Sequence, residues 1–315
     1  MTYPDAPLPW LDLSTGINAR PWTGIDLNAL DLTALPGAFD LVELEAAARA
    51  MFGSATLDVA ALPGTETGMR AIDCLGLPGP VRHVVPSYSS HAEMLAGSTG
   101  IAHHDLEDEA RRGGTIILAN PNNPDGRIVP PTRLLTVART LRDKGGWLIV
   151  DEAFADVVPD ASILPLLYER DPVIVFRSFG KFFGLAGLRL GFVAAPGPQL
   201  TLFRRRLGSW PVSTPAIAIG RAAYRDDEWI AATRAALAVS ALHLDEVLVR
   251  HGLTPMGDCP LFRLVETGDA SAIFERLARA GILVRPFDYA PRWLRFGLPA
   301  DTEALDRLDR ALGHG

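Results

Sequence analysis

The stretch Arg177-Ser178-Phe179-Gly180-Lys181-Phe182-Phe183-Gly184-Leu185-Ala186-Gly187-Leu188-Arg189-Leu190-Gly191 places one amine among aromatics and glycines, directly after the apolar run Val173–Arg177. Low-dielectric surroundings disfavour the charged form of a lysine and so favour a neutral, nucleophilic amine. The chain has 30 Lys+Arg, and only Lys144 and Lys181 are lysine, which leaves 28 arginines. Arginine cannot substitute for lysine in covalent chemistry, because its guanidinium does not give up its proton. Lys144, in Asp143-Lys144-Gly145-Gly146, reads as a solvated helix-to-strand turn. A phosphate-binding P-loop is excluded at Gly180-Lys181. The glycine required five residues before Gly180 is Val175, and Phe182 stands where a magnesium-binding Ser or Thr belongs.

Other chemistry-bearing segments lie on either side. Asp151, in Asp151-Glu152-Ala153-Phe154, closes the run Trp147–Val150; an Asp there is also a common turn former or helix cap. Asn120-Pro121-Asn122-Asn123-Pro124-Asp125-Gly126 follows Thr115–Ala119 and is built of turn residues. Pro86-Ser87-Tyr88-Ser89-Ser90-His91 ends the run Val81–Pro86. Gly64-Thr65-Glu66-Thr67-Gly68 opens a helix, whose first amides are well suited to an anion. Near the ends stand Asn18, in Ser14-Thr15-Gly16-Ile17-Asn18, and Arg295, in Trp293-Leu294-Arg295-Phe296-Gly297.

The order of these runs speaks for the architecture. Strands are expected at Val81–Pro86, Thr115–Ala119, Trp147–Val150, Val173–Arg177 and Leu188–Ala194, with helical patterns such as Pro131–Asp143 between some of them. Continuous apolar strands alternating with helices imply an α/β fold, with a mostly parallel sheet covered by helices. Near residue 225 the texture changes. A long helix from Asp226 to about His251 precedes strands at Pro260–Val265, Ile282–Arg285 and Arg292–Phe296 and a helix at Ala272–Ala280. The expected organisation is a large domain over 36–225. A smaller α+β domain combines an amino-terminal arm, 1–35, with 226–315. A net charge of -7 argues against nucleic acid or an anionic membrane as the main partner. No apolar run is long enough to span a bilayer, and no signal-peptide pattern opens the chain, so the sequence reads as cytoplasmic. Cys74 and Cys259 lie far apart, in no metal-binding spacing, and read as free thiols.

Taken together, these motifs closely resemble fold-type I pyridoxal-phosphate enzymes, the aminotransferase class I/II group, in order over nearly the whole chain. The resemblance implies the aspartate-aminotransferase-like fold and pyridoxal 5'-phosphate held as a Schiff base on Lys181. It implies that Asp151 keeps the ring nitrogen protonated, with His91 touching that Asp, and that Asn123 donates to the phenolic oxygen. By the same resemblance Tyr88 is expected to stack on the ring, Ser178, Arg189 and the cup Gly64, Thr65 and Glu66 to take the phosphate, and Arg295 and Asn18 to hold the substrate carboxylate. Two departures stand out. Phe154 replaces a frequent Tyr that bonds the phenolic oxygen, and Leu35-Pro36 replaces a Tyr-Pro that reaches the neighbouring subunit's cofactor phosphate. A homodimer is still expected, since sites of the group lie at a dimer interface. The wording around Asn18, Asp151 and Lys181 is most similar to threonine-phosphate decarboxylases of cobalamin biosynthesis, which implies decarboxylation of L-threonine O-3-phosphate. Histidinol-phosphate aminotransferases share fold, size and most motifs and remain the alternative. Both act on small phosphorylated substrates, so a second anion site is implied, with Arg20, Arg285 and Arg292 as candidates.

Overall fold

The computed structural model describes residues 3–26, 28 and 30–313; the outermost positions of the expected segments 1–35 and 226–315 lie outside them. Near the amino terminus β1 (Leu11–Asp12) stands apart from the main sheet. That sheet comprises β2 (Asp58–Leu62), β3 (Val81–Val85), β4 (Thr99–Ala102), β5 (Thr115–Ala119), β6 (Trp147–Asp151), β7 (Val173–Ser178) and β8 (Gly191–Ala195). Their order is β2-β8-β7-β6-β5-β3-β4. Neighbours are parallel except around β8, which runs antiparallel to both β2 and β7. The apolar runs are continuous because both faces are covered. Leu148, Val150, Val173 and Val175 enter one core, whereas Ile149, Ile174 and Phe176 enter the other.

Three differences from the expected elements have local causes. The strand anticipated at Leu188–Ala194 begins only at Gly191. Ala186–Leu188 forms a 3-10 turn and Arg189 takes a left-handed conformation, φ 56°. Strands β2 and β4 were not anticipated, since Asp58-Val-Ala-Ala-Leu and Thr99-Gly-Ile-Ala carry little β-branched or aromatic bulk. The run Ile282–Arg285 is divided between two sheets. β11 (Ile282–Leu283) pairs in parallel with β1, and β12 (Arg285–Pro286) joins an antiparallel sheet.

That second sheet has the order β12-β13-β10-β9, with β9 (Pro255–Met256), β10 (Phe262–Glu266) and β13 (Trp293–Gly297). β1 pairs with β11 in a separate two-stranded sheet, and Gly297 N of β13 donates to Leu13 O at 2.7 Å, tying the amino-terminal arm to the second sheet. The arm also docks on the lysine segment: Asn18 N donates to Lys181 O at 2.9 Å and Trp22 N to Phe183 O at 3.0 Å. Beneath Lys181, Phe179 stacks on Phe183 with centroids 4.5 Å apart, and Phe183 on Trp229 at 5.4 Å. Such pairs are each worth about 0.5–1.5 kcal/mol beyond their burial. Trp229 belongs to the helix Asp227–Arg250, whose N-cap Asp226 also accepts from Trp22 Nε1 at 2.8 Å. A short turn bearing the only non-surface lysine read from the sequence is thus clamped on two sides.

Candidate active site

Parallel strands β3, β5, β6 and β7 all end on one edge of the main sheet, the edge where open α/β sheets bind ligands. The ends of these strands and the residues after them, Pro86–Tyr88, Asn120–Asn123, Asp151 and Ser178–Lys181, gather there. Pro86, Ser87, Tyr88, Asn123, Asp151, Ser178, Gly180 and Lys181 border one or both of two cavities, of about 160 Å³ and about 800 Å³.

The smaller cavity is bordered by Gly64, Thr65, Glu66, Ser178 and Arg189 together with Tyr88, Asn123, Asp151, Phe154 and Lys181. Gly64 precedes the helix Thr65–Arg70 with φ 84°, a conformation open to glycine. A Cβ there would lie 2.5 Å from Arg189 Nη2, so the glycine leaves room for the guanidinium. The left-handed turn at Arg189 directs that side chain back over the helix start, whose first amides lack intrahelical acceptors. Glu66 is differently engaged: its Oε1 accepts from Ser90 Oγ and from Arg70 Nε, both at 2.9 Å.

Asp151 accepts from Ala153 N at 3.0 Å through Oδ1, and its Oδ2 lies 3.1 Å from Nε2 of the fully buried His91. The Tyr88 ring meets His91 edge-on at 5.9 Å. In the Asn-Pro loop, Asn120 Nδ2 donates to Val129 O and Ala161 O, and Asn122 Nδ2 to Pro86 O and Asp125 Oδ1. These two side chains lock the loop, which frees Asn123 to face the cavity, where its Oδ1 accepts from Arg295 Nη1 at 2.6 Å. Lys181 Nζ lies 5.9 Å from the Phe154 ring centroid. Burial pulls its pKa below the ordinary lysine value; Arg295 and Arg189 add to the effect and Asp151 opposes it. Phe154 itself packs edge-on against Phe262 at 5.0 Å and presents no polar atom.

Arg295 enters the larger cavity from β13. Nη2 donates to Ser14 O at 2.8 Å, and the guanidinium lies 5.1 Å from the Phe262 ring, while buried Nε has no partner. Burial, with the Arg285 charge adding to it, brings its pKa down to about 10. Arg285 and Arg295 are directly opposed across β12 and β13, so both project from one face of that sheet, and both line the larger cavity. Among the described residues neither arginine has a carboxylate within ion-pairing distance.

Several expected residues lie elsewhere. Asn18 is buried beneath the lysine segment, its Nδ2 donating to Phe182 O and its Oδ1 accepting from Arg20 N, each at 3.0 Å; it lines neither cavity. Arg20 donates to Ala300 O and borders a separate cavity beside His243. Arg292 is exposed and lies 3.5 Å from Glu266. Of the three candidate arginines, only Arg285 reaches the large cavity. An aromatic wall of Phe287, Tyr289 and Trp293 was not anticipated, although three aromatics within seven residues is a legible signal. His83, also on this cavity, sits inside an apolar strand and gave none.

Residues 82–312 match the family model described as aminotransferase class I and II. The chain belongs to the aminotransferase class I and II family. Within that family it is 40% identical to a threonine-phosphate decarboxylase from Sinorhizobium, covering 98% of this chain and 93% of the relative. A threonine-phosphate decarboxylase from Pseudomonas aeruginosa is 39% identical over the same shares. A histidinol-phosphate aminotransferase from Haloferax volcanii is 32% identical over 65% of this chain and 58% of its own length. Among solved folds, a histidinol-phosphate aminotransferase from Sinorhizobium meliloti in complex with pyridoxal-5'-phosphate superposes with a TM-score of 0.81. It is 22% identical, covering 96% of this chain and 89% of that one. The aminotransferase class I and II pocket described above suits the same cofactor: a cup that a Cβ at Gly64 would fill, a buried Asp at a strand end, and the Lys181 amine on the wall of the same cavity.

Proposed function

We propose that this chain is a pyridoxal-phosphate-dependent lyase that decarboxylates L-threonine O-3-phosphate to (R)-1-aminopropan-2-yl phosphate in cobalamin biosynthesis. The observation that carries the reading is the opposed pair Arg285 and Arg295 on one cavity wall, without a carboxylate partner among the described residues. Like charges facing each other across strands are unfavourable, and a ligand bearing two anionic groups relieves them. The relatives similar over almost the whole chain are named for a substrate that has both a carboxylate and a phosphate.

In this mechanism Ser178, Arg189 and the Thr65 and Glu66 amides hold the cofactor phosphate by charge-assisted bonds to a dianion. Asp151, oriented by His91, keeps a proton on the ring nitrogen, and Tyr88 fixes the ring plane. Asn123 supplies its amide to the phenolic oxygen while its carbonyl positions Arg295. Pyridoxal phosphate, when bound, supplies the electron sink for the electrons left at Cα as carbon dioxide departs. Arg295 grips the carboxylate, and the angle at which it does so selects the bond that breaks. Arg285 receives the distal phosphate. Lys181, held towards its neutral form, can accept a proton at Nζ from the substrate ammonium and deliver it to Cα in place of the departing carboxylate. Phe154 gives the phenolic oxygen no hydroxyl partner, so Asn123 alone tunes that side of the ring.

The same reading includes a homodimer. Leu32, Leu35, Phe39 and Val42 are exposed together near the first helix, Ala38–Met51, an apolar surface that suits burial against a second copy. It also includes a cytoplasmic setting, which suits two free cysteines; among the described residues no helix is long and apolar enough to cross a membrane. The aromatic wall of Phe287, Tyr289 and Trp293 favours a second reading, transamination of the larger, imidazole-bearing histidinol phosphate. The test is product identification after mixing cofactor-loaded protein with L-threonine O-3-phosphate and no oxo acid. Stoichiometric carbon dioxide and aminopropanol phosphate are expected. Absence of both, with turnover of histidinol phosphate and 2-oxoglutarate, would replace the first reading by the second.

A further inference from the structure

The strands that present Asp151 and Ser178 to the cavity carry a second constellation on their other face. Side chains alternate along a strand, so Arg177, beside Ser178 in β7, points away from the cavities; neither it nor Glu152, the first residue after β6, lines them. Both are buried, as is Asp156. The Arg177 guanidinium lies 4.4 Å from the Phe52 ring centroid. Its Nη1 donates to Glu152 Oε2 at 2.8 Å and to Ser162 Oγ at 3.2 Å, and its Nη2 donates to Asp156 Oδ1. Glu152 also accepts from Ser162 Oγ and Ile163 N, both at 2.7 Å. One guanidinium therefore gathers the whole segment that leaves Asp151, from residue 152 to 163, onto the strand that runs on to Ser178 and Lys181.

Burial opposes the charge on Arg177, but Asp156 and Glu152 outweigh it and keep the guanidinium protonated. A buried charged network of this kind contributes little net stability compared with apolar side chains of similar volume. Among the described residues Arg177 Nε and Asp156 Oδ2 are left without partners, but the bonds that join Arg177 to Glu152, Ser162 and Asp156 still tie the segment after Asp151 to one geometry. Sites that hold a reacting group need that fixity to within about half an ångström.

We propose that Arg177 and Glu152 are positioning residues that, from the far face of the sheet, fix Asp151 relative to Ser178 and Lys181. They thereby set the spacing between the ring-nitrogen partner and the phosphate cup. The inference rests on the reading that pyridoxal phosphate binds between these groups.

The experiment compares Glu152→Gln, Arg177→Met and the triple variant Glu152→Leu, Asp156→Leu, Arg177→Met, in which the network becomes apolar. Three quantities are read on each: melting temperature without cofactor, the cofactor dissociation constant by equilibrium dialysis, and the pH midpoint of the bound cofactor's absorbance. The triple variant is expected to melt at or above the unmodified protein. It should nonetheless bind cofactor on the order of tenfold more weakly, the loss typical when the groups supporting a site are removed. Its absorbance midpoint should move, and kcat should fall while KM stays unchanged. A folded triple variant with unaltered cofactor affinity and midpoint would overturn the proposal. So would failure of all three variants to fold, which would assign the network to folding alone. Failure of the underlying reading shows separately, in an unmodified protein that takes up no cofactor.

Discussion

Lys181 can attack a carbonyl only as the free base, and its surroundings hold its pKa below the ordinary lysine value, chiefly through burial. Borohydride treatment of the cofactor-loaded protein should therefore fix the cofactor to the peptide containing residue 181, detectable by mass spectrometry, and Lys181→Ala should abolish that adduct. The same shift has a sign in stability. Between the lowered value and the ordinary one, the unfolded chain holds a proton at this site that the cofactor-free folded chain lacks. Stability then rises with pH through that window. Melting curves of the cofactor-free protein should show a steeper alkaline rise than those of Lys181→Met; parallel profiles would refute the shift. For the arginines the expected effect is kinetic. Losing a charge-assisted bond of about 1.5–3 kcal/mol raises KM roughly 10- to 100-fold. Arg295→Ala should do so for any amino-acid substrate. Arg285→Ala should do so for phosphothreonine while leaving binding of unphosphorylated L-threonine unchanged, and an equal loss for both would remove its assigned role.

The start of the helix Thr65–Arg70 is built around what Gly64 lacks. Adding a methyl group there meets Arg189 Nη2 at 2.5 Å in a backbone conformation, φ 84°, that other residues avoid. Gly64→Ala should therefore weaken cofactor binding at unchanged secondary structure, measured by cofactor fluorescence titration against circular dichroism. At this scale much was legible beforehand. The runs at Thr115–Ala119 and Val173–Arg177 are buried on both faces and announce themselves by unbroken hydrophobicity. The site clusters at their ends followed from where they stop. Where local pattern is silent, the cause is physical. The Asp58–Leu62 and Thr99–Ala102 strands are specified by their neighbours in the sheet more than by their own side chains. The Leu188–Arg189 step has the apolar texture of a strand but is bent by the left-handed conformation at Arg189, whose guanidinium lies against Gly64. Asn18 stands beside the right segment, but no sequence pattern shows which way an amide turns, and it turns towards the Phe182 carbonyl.

On the scale of the whole molecule, the exposed apolar surface carrying Phe39, 73% accessible, should be covered by a second copy of the chain. Sedimentation should report a dimer, and Phe39→Glu should shift it towards monomer; a monomeric unmodified protein would end that reading. The two sheets divide the labour of the site. The main sheet supplies Asp151, Ser178 and Lys181, whereas Arg285 and Arg295 both come from the small antiparallel one. On the proposed reaction, the substrate satisfies both arginines of the small sheet at once and presents its amino group to the side of the main sheet. Carbon dioxide then leaves with one of the two anions, and the product keeps only its phosphate. Arg295 loses its counter-charge and again confronts Arg285 across the strands. Turnover thus restores the repulsion that binding had relieved, so the chemical step itself prepares the product's departure, and the amine phosphate should inhibit more weakly than its affinity for Arg285 alone suggests.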